Sequence, residues 1–95
     1  MARLIFTKKF IKLLDKIDPG EKRKVMRSLE ELKENPTKGK LLRGYYEVPA
    51  YGLKRMRLRS LRIGDYRVIY YYDASSDIIW LLLVGHRSWI YRKLP

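Results

Sequence analysis

The chain has 95 residues, of which 46% are hydrophobic, so the composition predicts one globular domain that spans residues 1–95. It has no cysteine and a single histidine, which excludes disulfides, thiolate-bound metals and sites built on several imidazoles. Lys and Arg number 22 against 10 Asp and Glu, and the formal net charge of +12 favours a polyanionic partner. Because no apolar run is long enough to span a bilayer and the N-terminus lacks a signal-peptide pattern, we expect a soluble, cytoplasmic protein with no membrane partner.

The N-terminal part predicts one strand followed by two helices. Residues 3–7 (RLIFT) are β-rich, and Thr7 is a suitable cap for a helix over about residues 8–17. The sequence DPGE at residues 18–21 is typical of a helix start, and the NP pair at 35–36 ends this second helix. The apolar residues at helical spacing are Phe10, Leu13, Leu14, Ile17, Val25, Leu29 and Leu32. Two helices with so short a connection should form an antiparallel hairpin that packs these residues on a sheet.

The second half of the chain predicts an antiparallel meander. The strands lie at about 53–63, 66–73 and 77–85, and turn residues separate them. Residues 36–52 have no clear periodicity and predict a long loop. The order strand, two helices, three strands predicts an α+β fold, in which an N-terminal strand and an antiparallel helical hairpin pack on a small antiparallel sheet.

The predicted strand at residues 53–63 contains a change of alternation. Met56 and Leu58 share one parity, whereas Leu61 and Ile63 share the other. A bulge near residues 59–60 would bring all four side chains to the core side of the sheet. The arginines that would then point outward are Arg55, Arg57 and Arg62.

Basic and acidic residues are distributed unequally along the chain. Six of the 10 acids lie within residues 15–34, where they serve helix caps and surface ion pairs, so metal-dependent catalysis is disfavoured. Guanidinium groups bind phosphate oxygens in a bidentate way and stay charged. RNA carries its own nucleophile, the 2′-hydroxyl, so an enzyme that aligns it with the adjacent phosphate requires no metal and no cofactor. The basic residues expected to contact RNA are Arg43, Lys54, Arg55, Arg57 and Arg59.

Tyr91 is the candidate proton acceptor for such a reaction, because nearby arginines favour its phenolate form. The positive charge for the transition state would come from the arginines of the basic segment and the C-terminus, which are Arg55, Arg57, Arg59, Arg62, Arg67 and Arg87. A basic sheet that binds nucleic acid without cleaving it fits the composition equally well. The residue types alone therefore leave catalysis and simple binding open.

Three segments resemble the RelE/ParE superfamily, the small basic toxins of bacterial and archaeal toxin–antitoxin modules. They are LRG at residues 42–44, LRIGDYRVIY at 61–70 and VGHRSWIY at 84–91. The likeness covers nearly the whole chain, since this family also begins with a strand and a helical hairpin. It implies a single RelE-like toxin domain that is similar to a microbial ribonuclease fold.

RelE-like members cut messenger RNA in the ribosomal A site, without a metal, through the 2′-hydroxyl. By this resemblance, Arg67, Arg87 and Tyr91 match positions linked to cleavage, and Arg62 matches a basic strand position. The family commonly places another basic residue where this chain has Ser60. If the predicted bulge does not bring a neighbouring arginine into that place, the chain would be weakly active or would follow the ParE-like branch, which poisons DNA gyrase.

The resemblance also implies partners. We expect an acidic RelB-like antitoxin that holds the chain inactive in a toxin–antitoxin hetero-oligomer, and we expect mRNA and the A site of the 30S ribosomal subunit as targets. Two alternatives stay open. One is a noncatalytic, ParE-like inhibitor of DNA gyrase, and the other is a general RNA- or ribosome-binding module.

Overall fold

The computed structural model describes residues 1–95, with two α-helices, seven β-strands and two short 3₁₀ turns. In chain order the strands and helices are β1 Arg3–Phe6, α1 Lys8–Asp15, α2 Pro19–Glu34, β2 Lys40–Leu41, β3 Tyr46–Val48, β4 Leu53–Met56, β5 Arg59–Ile63, β6 Tyr66–Asp73 and β7 Ile78–His86. The 3₁₀ turns lie at Pro49–Tyr51 and Ile90–Lys93. Neither helix has the length and apolar character that crossing a membrane requires.

Both helices begin where the sequence predicts. The side chains of Thr7 and Asp18 accept hydrogen bonds from amides in the first turns of α1 and α2, at 3.3 and 2.9 Å. Helix α1 ends at Asp15, earlier than predicted, because the next two amides bond carbonyls three residues back and tighten the chain. Ile17 is nevertheless buried as expected, since the tighter turn still directs it towards the sheet.

Five strands form one sheet in the order β1-β7-β6-β5-β2, and β3 pairs with β4 in a separate hairpin. Strand β1 runs parallel to β7, whereas the other pairs in the sheet are antiparallel. The sheet is therefore mixed at one edge, where an antiparallel sheet was expected. The sequence did not predict this, because alternation of side chains reveals a strand but not its direction. The α+β class and the helical hairpin packed on this sheet are confirmed.

One face of the five-stranded sheet packs against the helical hairpin, and we call it the helix face. The sheet residues in this core are Leu61, Ile63, Val68, Tyr70, Ile79, Leu81 and Val84. The helix residues are Phe10, Leu14, Ile17, Val25, Leu29 and Leu32. The predicted apolar stripe is confirmed, with Leu13 half-buried beside it. Full burial of one such side chain contributes about 1.5–3 kcal/mol, so this layer is a major source of stability.

The opposite side of the sheet, which we call the second face, has its own apolar cluster. Its buried members are Met56, Leu58, Ile69, Leu82, Leu83 and Ile90. The predicted bulge at residues 59–60 is wrong. The chain instead breaks between β4 and β5, at residues 57–58, and β4 joins the separate hairpin. The alternation changes because Met56 and Leu58, before and at the break, pack on the second face, whereas Leu61 and Ile63 pack on the helix face.

The prediction of one long loop over residues 36–52 is also wrong, because this segment contains β2, β3 and a 3₁₀ turn. These elements are too short for a readable periodicity. Tyr70 fastens the start of the segment, since its hydroxyl donates to the Pro36 carbonyl at 2.7 Å and accepts from the Gly39 amide at 2.9 Å. A Cβ at Gly39 would lie 2.7 Å from that hydroxyl oxygen, so glycine is required there. Burial raises the pKa of Tyr70, so the hydroxyl stays protonated and able to donate to a higher pH than that of an ordinary tyrosine.

Candidate functional site

Three positions form a row across the second face, near the turn between β5 and β6. Arg62 lies directly opposite Arg67, which in turn lies opposite Gly85. The neighbours of Arg62 in β5 face the helices, so Arg62 and its cross-strand partners project from the second face. Arg62 is exposed and has no hydrogen-bond or ion-pair partner, whereas Arg67 donates to the Gly64 and Tyr66 carbonyls, both at 2.9 Å. Like charges in direct opposition repel, so an anion bound between these guanidinium groups would stabilise the row.

Tyr91 lies on the same face of the sheet. Ile90 is fully buried in the apolar cluster of the second face and holds the C-terminal 3₁₀ turn against it. The Tyr91 side chain stays 43% exposed, and its hydroxyl shares a 2.9 Å hydrogen bond with the Ser60 hydroxyl. Ser60 precedes Arg62 by two positions in β5, so their Cα atoms are about 7 Å apart along one face. The tyrosine oxygen is thereby held beside the arginine row.

Gly85 is required by the way the C-terminal segment packs. A Cβ at this position would lie only 2.2 Å from the ring of Trp89, so the indole occupies the space above the glycine backbone. Trp89 is half-buried by this contact. Its ring therefore helps to hold the segment that leads to Tyr91, which explains why the VGH sequence has glycine at its centre.

Arg87 lies beyond the end of β7 and is bonded to the β5–β6 turn. Its backbone amide donates to the Asp65 carbonyl at 2.7 Å, and its Nε lies 3.4 Å from a carboxylate oxygen of Asp65. Both side chains are largely exposed, at 61% and 69%. An exposed pair of this kind contributes about 0–1 kcal/mol, so a phosphate competes with Asp65 for this guanidinium at little cost. His86 is bonded to Ser88 and takes no part in the row.

The five basic residues expected to contact RNA do not form one group. Arg55 and Arg57 lie against the ring of Tyr45, and Arg43 precedes that tyrosine by two positions. Lys54 is exposed on β4. The fifth residue, Arg59, is engaged elsewhere, because its Nη1 donates to the carbonyls of Thr37 and Gly39 at 3.2 and 2.9 Å and so helps to fasten the segment before β2.

Sequence reasoning missed two residues of these sites. In the sequence, Ser60 stands out only because it replaces a residue that is commonly basic in the family. Its hydrogen bond to Tyr91 could not be predicted, because the two residues are 31 positions apart. Tyr45 lies in the segment predicted as a loop. Arg55 and Arg57, two positions apart in the predicted strand that follows, gave no sign of a shared aromatic partner. No group of three or more His, Cys, Asp or Glu residues is arranged to hold a metal ion.

The family model for the ParE toxin of type II toxin–antitoxin systems, parDE, matches residues 4–91. The chain belongs to this toxin family. The resemblance to the RelE/ParE superfamily that the sequence shows is confirmed by this match and by structural comparison. No match to this toxin is found among curated proteins.

Solved structures of several RelE toxins are similar to this toxin. The RelBE2 toxin–antitoxin complex of Mycobacterium tuberculosis shares 27% identity, with a TM-score of 0.71 over 90% of this chain and 98% of that chain. The archaeal RelE–RelB complex of Pyrococcus horikoshii shares 24% identity, with a TM-score of 0.69 over 90% and 94% of the two chains. The intact Escherichia coli RelBE complex shares 22% identity, with a TM-score of 0.67 over 90% and 96%. The last two comparisons show that the fold is RelE-like.

Proposed function

We propose that this toxin is a metal-independent endoribonuclease that cleaves mRNA in the A site of the 30S ribosomal subunit through the substrate's 2′-hydroxyl. The observation that carries the proposal is the Ser60–Tyr91 hydrogen bond, which holds a phenolic oxygen on the same sheet face as Arg62 and Arg67. A proton acceptor beside paired guanidinium groups is what in-line attack on an RNA phosphate requires. The ribosomal location follows from the likeness of residues 61–70 and 84–91 to RelE-like toxins.

In the proposed reaction, the 2′-oxygen forms a bond to the adjacent phosphorus and the bond from phosphorus to the 5′-oxygen breaks. Tyr91 first gives its phenolic proton to solvent, and its phenolate oxygen then accepts the proton of the 2′-hydroxyl, while the leaving 5′-oxygen takes a proton from solvent. Arg62 and Arg67 stabilise the additional negative charge on the phosphate oxygens. Arg87 supplies a further cation once the phosphate replaces Asp65. The products are a 2′,3′-cyclic phosphate and a 5′-hydroxyl.

Single-turnover cleavage of ribosome-bound mRNA in excess EDTA tests this proposal. The wild type should cleave and leave a 2′,3′-cyclic phosphate. Arg62→Ala should cleave on the order of 10²-fold more slowly, as expected when one donor to developing charge is lost. Arg23→Ala is the matched control, because Arg23 is also exposed but lies on α2, which packs on the helix face, opposite the arginine row. A metal requirement, a 5′-phosphate product or equal rates for both variants would contradict the mechanism.

A second candidate is noncatalytic inhibition of DNA gyrase. It is favoured by the ParE description of the matching family model and by Ser60 at a position that is commonly basic in RelE-like toxins. A supercoiling assay with purified gyrase separates the two functions. Inhibition of supercoiling by a toxin that leaves ribosome-bound mRNA intact would establish the second candidate, whereas ribosome binding with neither activity would indicate a general RNA- or ribosome-binding module.

The proposed partner is an acidic, RelB-like antitoxin that forms a hetero-oligomer with this toxin in the cytoplasm. Support comes from the net charge of +12 and from the similar RelE chains, which were solved in complex with RelB antitoxins. Opposite charges steer encounter and salt screens them, so the association rate measured by stopped flow should fall steeply with ionic strength. A rate that is independent of salt would argue against an acidic partner.

A further inference from the structure

A second group of basic and aromatic side chains lies in the β3–β4 hairpin, apart from the row of Arg62 and Arg67. Tyr45 is 60% exposed, more than any other aromatic side chain of the molecule. The guanidinium carbons of Arg55 and Arg57 nevertheless lie 4.8 and 5.6 Å from the centre of its ring. We call Tyr45, Arg55 and Arg57 the hairpin platform. It combines an accessible aromatic surface with two cations.

The hairpin platform is held in place by its surroundings. Arg57 donates from Nε and Nη2 to the Leu42 carbonyl at 3.3 and 2.9 Å, which leaves the other N–H groups of its planar fork free. The Tyr46 hydroxyl donates to the Arg43 carbonyl at 3.0 Å and so closes the turn that carries Tyr45. Arg55 has a φ of 49°, a left-handed conformation that residues with a Cβ rarely adopt. The contact of Arg55 with the ring is therefore fixed by the backbone as well as by the side chains.

The charge of the platform is not neutralised within the chain. Arg43, Lys54, Arg55 and Arg57 have no carboxylate at ion-pair distance, and Glu47 is the single acid between residues 36 and 64. Lysines of α2, by contrast, are paired with acids of α1 and α2, as Lys22 is with Asp15. An exposed aromatic ring surrounded by unpaired cations suits a ligand that offers both a π-face and negative charge. A single-stranded nucleic acid has both.

We propose that the hairpin platform binds one unstacked base of single-stranded RNA on Tyr45, while Arg55 and Arg57 contact the neighbouring phosphates. This deepens the proposed function, because it assigns the RNA a second contact outside the cleavage site. Stacking on aromatic and guanidinium planes is the common way in which proteins bind single-stranded RNA. Arg57 and Ser60 are three positions apart, so their Cα atoms are at most about 11 Å apart. The stacked base therefore belongs to a nucleotide close to the scissile phosphate on the same strand.

Binding of a short 2′-O-methyl RNA to the full chain tests this inference, because the probe has no free 2′-hydroxyl and cannot be cleaved by the proposed route. Tyr45→Ala should weaken binding about 5- to 100-fold, the range that corresponds to the loss of one base–aromatic stack. Tyr45→Phe should bind as the wild type does, because the Tyr45 hydroxyl forms no hydrogen bond in the structure and the ring is retained. Equal thermal unfolding temperatures of the two variants would show that the loss is not caused by misfolding.

Abasic probes show whether Tyr45 contacts a base. Removal of one base from the 2′-O-methyl RNA should lower the affinity of the wild type for this RNA. The same removal should cause no further loss of affinity in Tyr45→Ala. Equal losses in both proteins, or unchanged binding by Tyr45→Ala, would overturn the inference. A Tyr45→Ala defect confined to the antitoxin complex would overturn it as well and would assign the platform to a protein partner.

The cleavage assay distinguishes the two proposals. If the wild type cleaves ribosome-bound mRNA but base-dependent binding at Tyr45 is absent, the inference fails and the proposed function stands. If base-dependent binding is present but no RNA is cleaved, the inference stands and the proposed catalysis fails.

Discussion

The two faces of the five-stranded sheet use their side chains differently. On the helix face the residues are apolar and inaccessible, as shown by Val68, Ile79 and Leu81, which have no exposed surface. The second face is apolar where the β3–β4 hairpin and the C-terminal turn cover it. Near the β5–β6 turn, however, it presents Arg62 and the partly exposed Tyr91 to solvent. The helix face therefore stabilises the fold, whereas the second face exposes charged and polar side chains. We expect substitutions on the helix face to lower stability and substitutions on the second face to lower activity.

The largest expected effect belongs to the second face. Tyr91→Phe keeps the ring but removes the proton acceptor, so single-turnover cleavage should fall by roughly 10²–10⁴-fold. The free energy of unfolding should change by only about 0.5–1.5 kcal/mol, the contribution of the lost bond to Ser60. Tyr71→Phe is the matched control, because Tyr71 also packs against the second-face cluster but its hydroxyl bonds to nothing in the chain. Full cleavage by Tyr91→Phe would remove Tyr91 from the mechanism.

The next effect belongs to the helix face and is one of stability. Leu29→Ala deletes a side chain that is fully buried between α2 and the sheet, and it should lower the free energy of unfolding by about 2–5 kcal/mol. Met26→Ala on the same helix should cost much less, because Met26 is 39% exposed. Chemical denaturation measures both changes. The cleavage rate per folded molecule should be unchanged in each variant, and a specific loss of activity in Leu29→Ala would show that the two faces are coupled.

Features set by local chemistry were predictable from the sequence. The starts of α1 and α2 follow from Thr7 and Asp18, because a cap acts within one helical turn. The break at residues 57–58 was not predictable from the sequence. The same change of alternation results from a bulge within one strand or from a break between two strands whose apolar residues pack on opposite faces of the sheet. The parallel direction of β1 depends on pairing with a strand more than 70 residues away, as Arg3 lies opposite Ile78, and nothing near β1 encodes it.

The candidate site likewise has features that the sequence predicts and features that depend on distant segments of the chain. The arginine-rich strand and Tyr91 could be selected by chemistry and resemblance, because their residue types and spacing are visible in the chain. The placement of Arg62 opposite Arg67 follows from the tight β5–β6 turn and was within reach of hairpin reasoning. The Ser60–Tyr91 bond and the contacts of Tyr45 arise from the approach of distant segments. Such contacts depend on tertiary packing, and no local pattern reveals them.

A smaller effect is expected where the helix face meets the segment before β2. Tyr70→Phe removes the hydroxyl that bonds Pro36 and Gly39, and it should lower the free energy of unfolding by about 1–3 kcal/mol, since a buried amide and a partly buried carbonyl lose their partner. Burial raises the pKa of Tyr70, although the Gly39 amide and Arg59 oppose this rise. The folded state therefore holds its proton more tightly than the unfolded state does. Stability from this group should be complete below pH 10, the ordinary tyrosine pKa, and should decline as the pH rises above it.

Denaturation of both proteins as a function of pH measures this contribution. Wild type should lose stability above pH 10, and Tyr70→Phe should lose it less steeply. The decline should not vanish, because the pKa of Tyr72 is also raised, mainly by its hydrogen bond to Asp77. Identical alkaline profiles for the two proteins would show that Tyr70 ionises equally in the folded and unfolded chains.

The smallest effect should come from Ser60, which positions the Tyr91 oxygen without touching the phosphate in the proposed reaction. Ser60→Ala removes one hydrogen bond, and because Tyr91 remains partly exposed, water replaces the lost partner. Cleavage should slow by about 2- to 10-fold, which corresponds to a bond of about 0.5–1.5 kcal/mol. Ser60→Thr keeps the hydroxyl and should restore most of the rate, while RNA binding should be equal in all three proteins. If Ser60→Thr were as slow as Ser60→Ala, packing beneath Tyr91 would be responsible, and the second face would resemble the helix face in depending on shape more than on polar contacts.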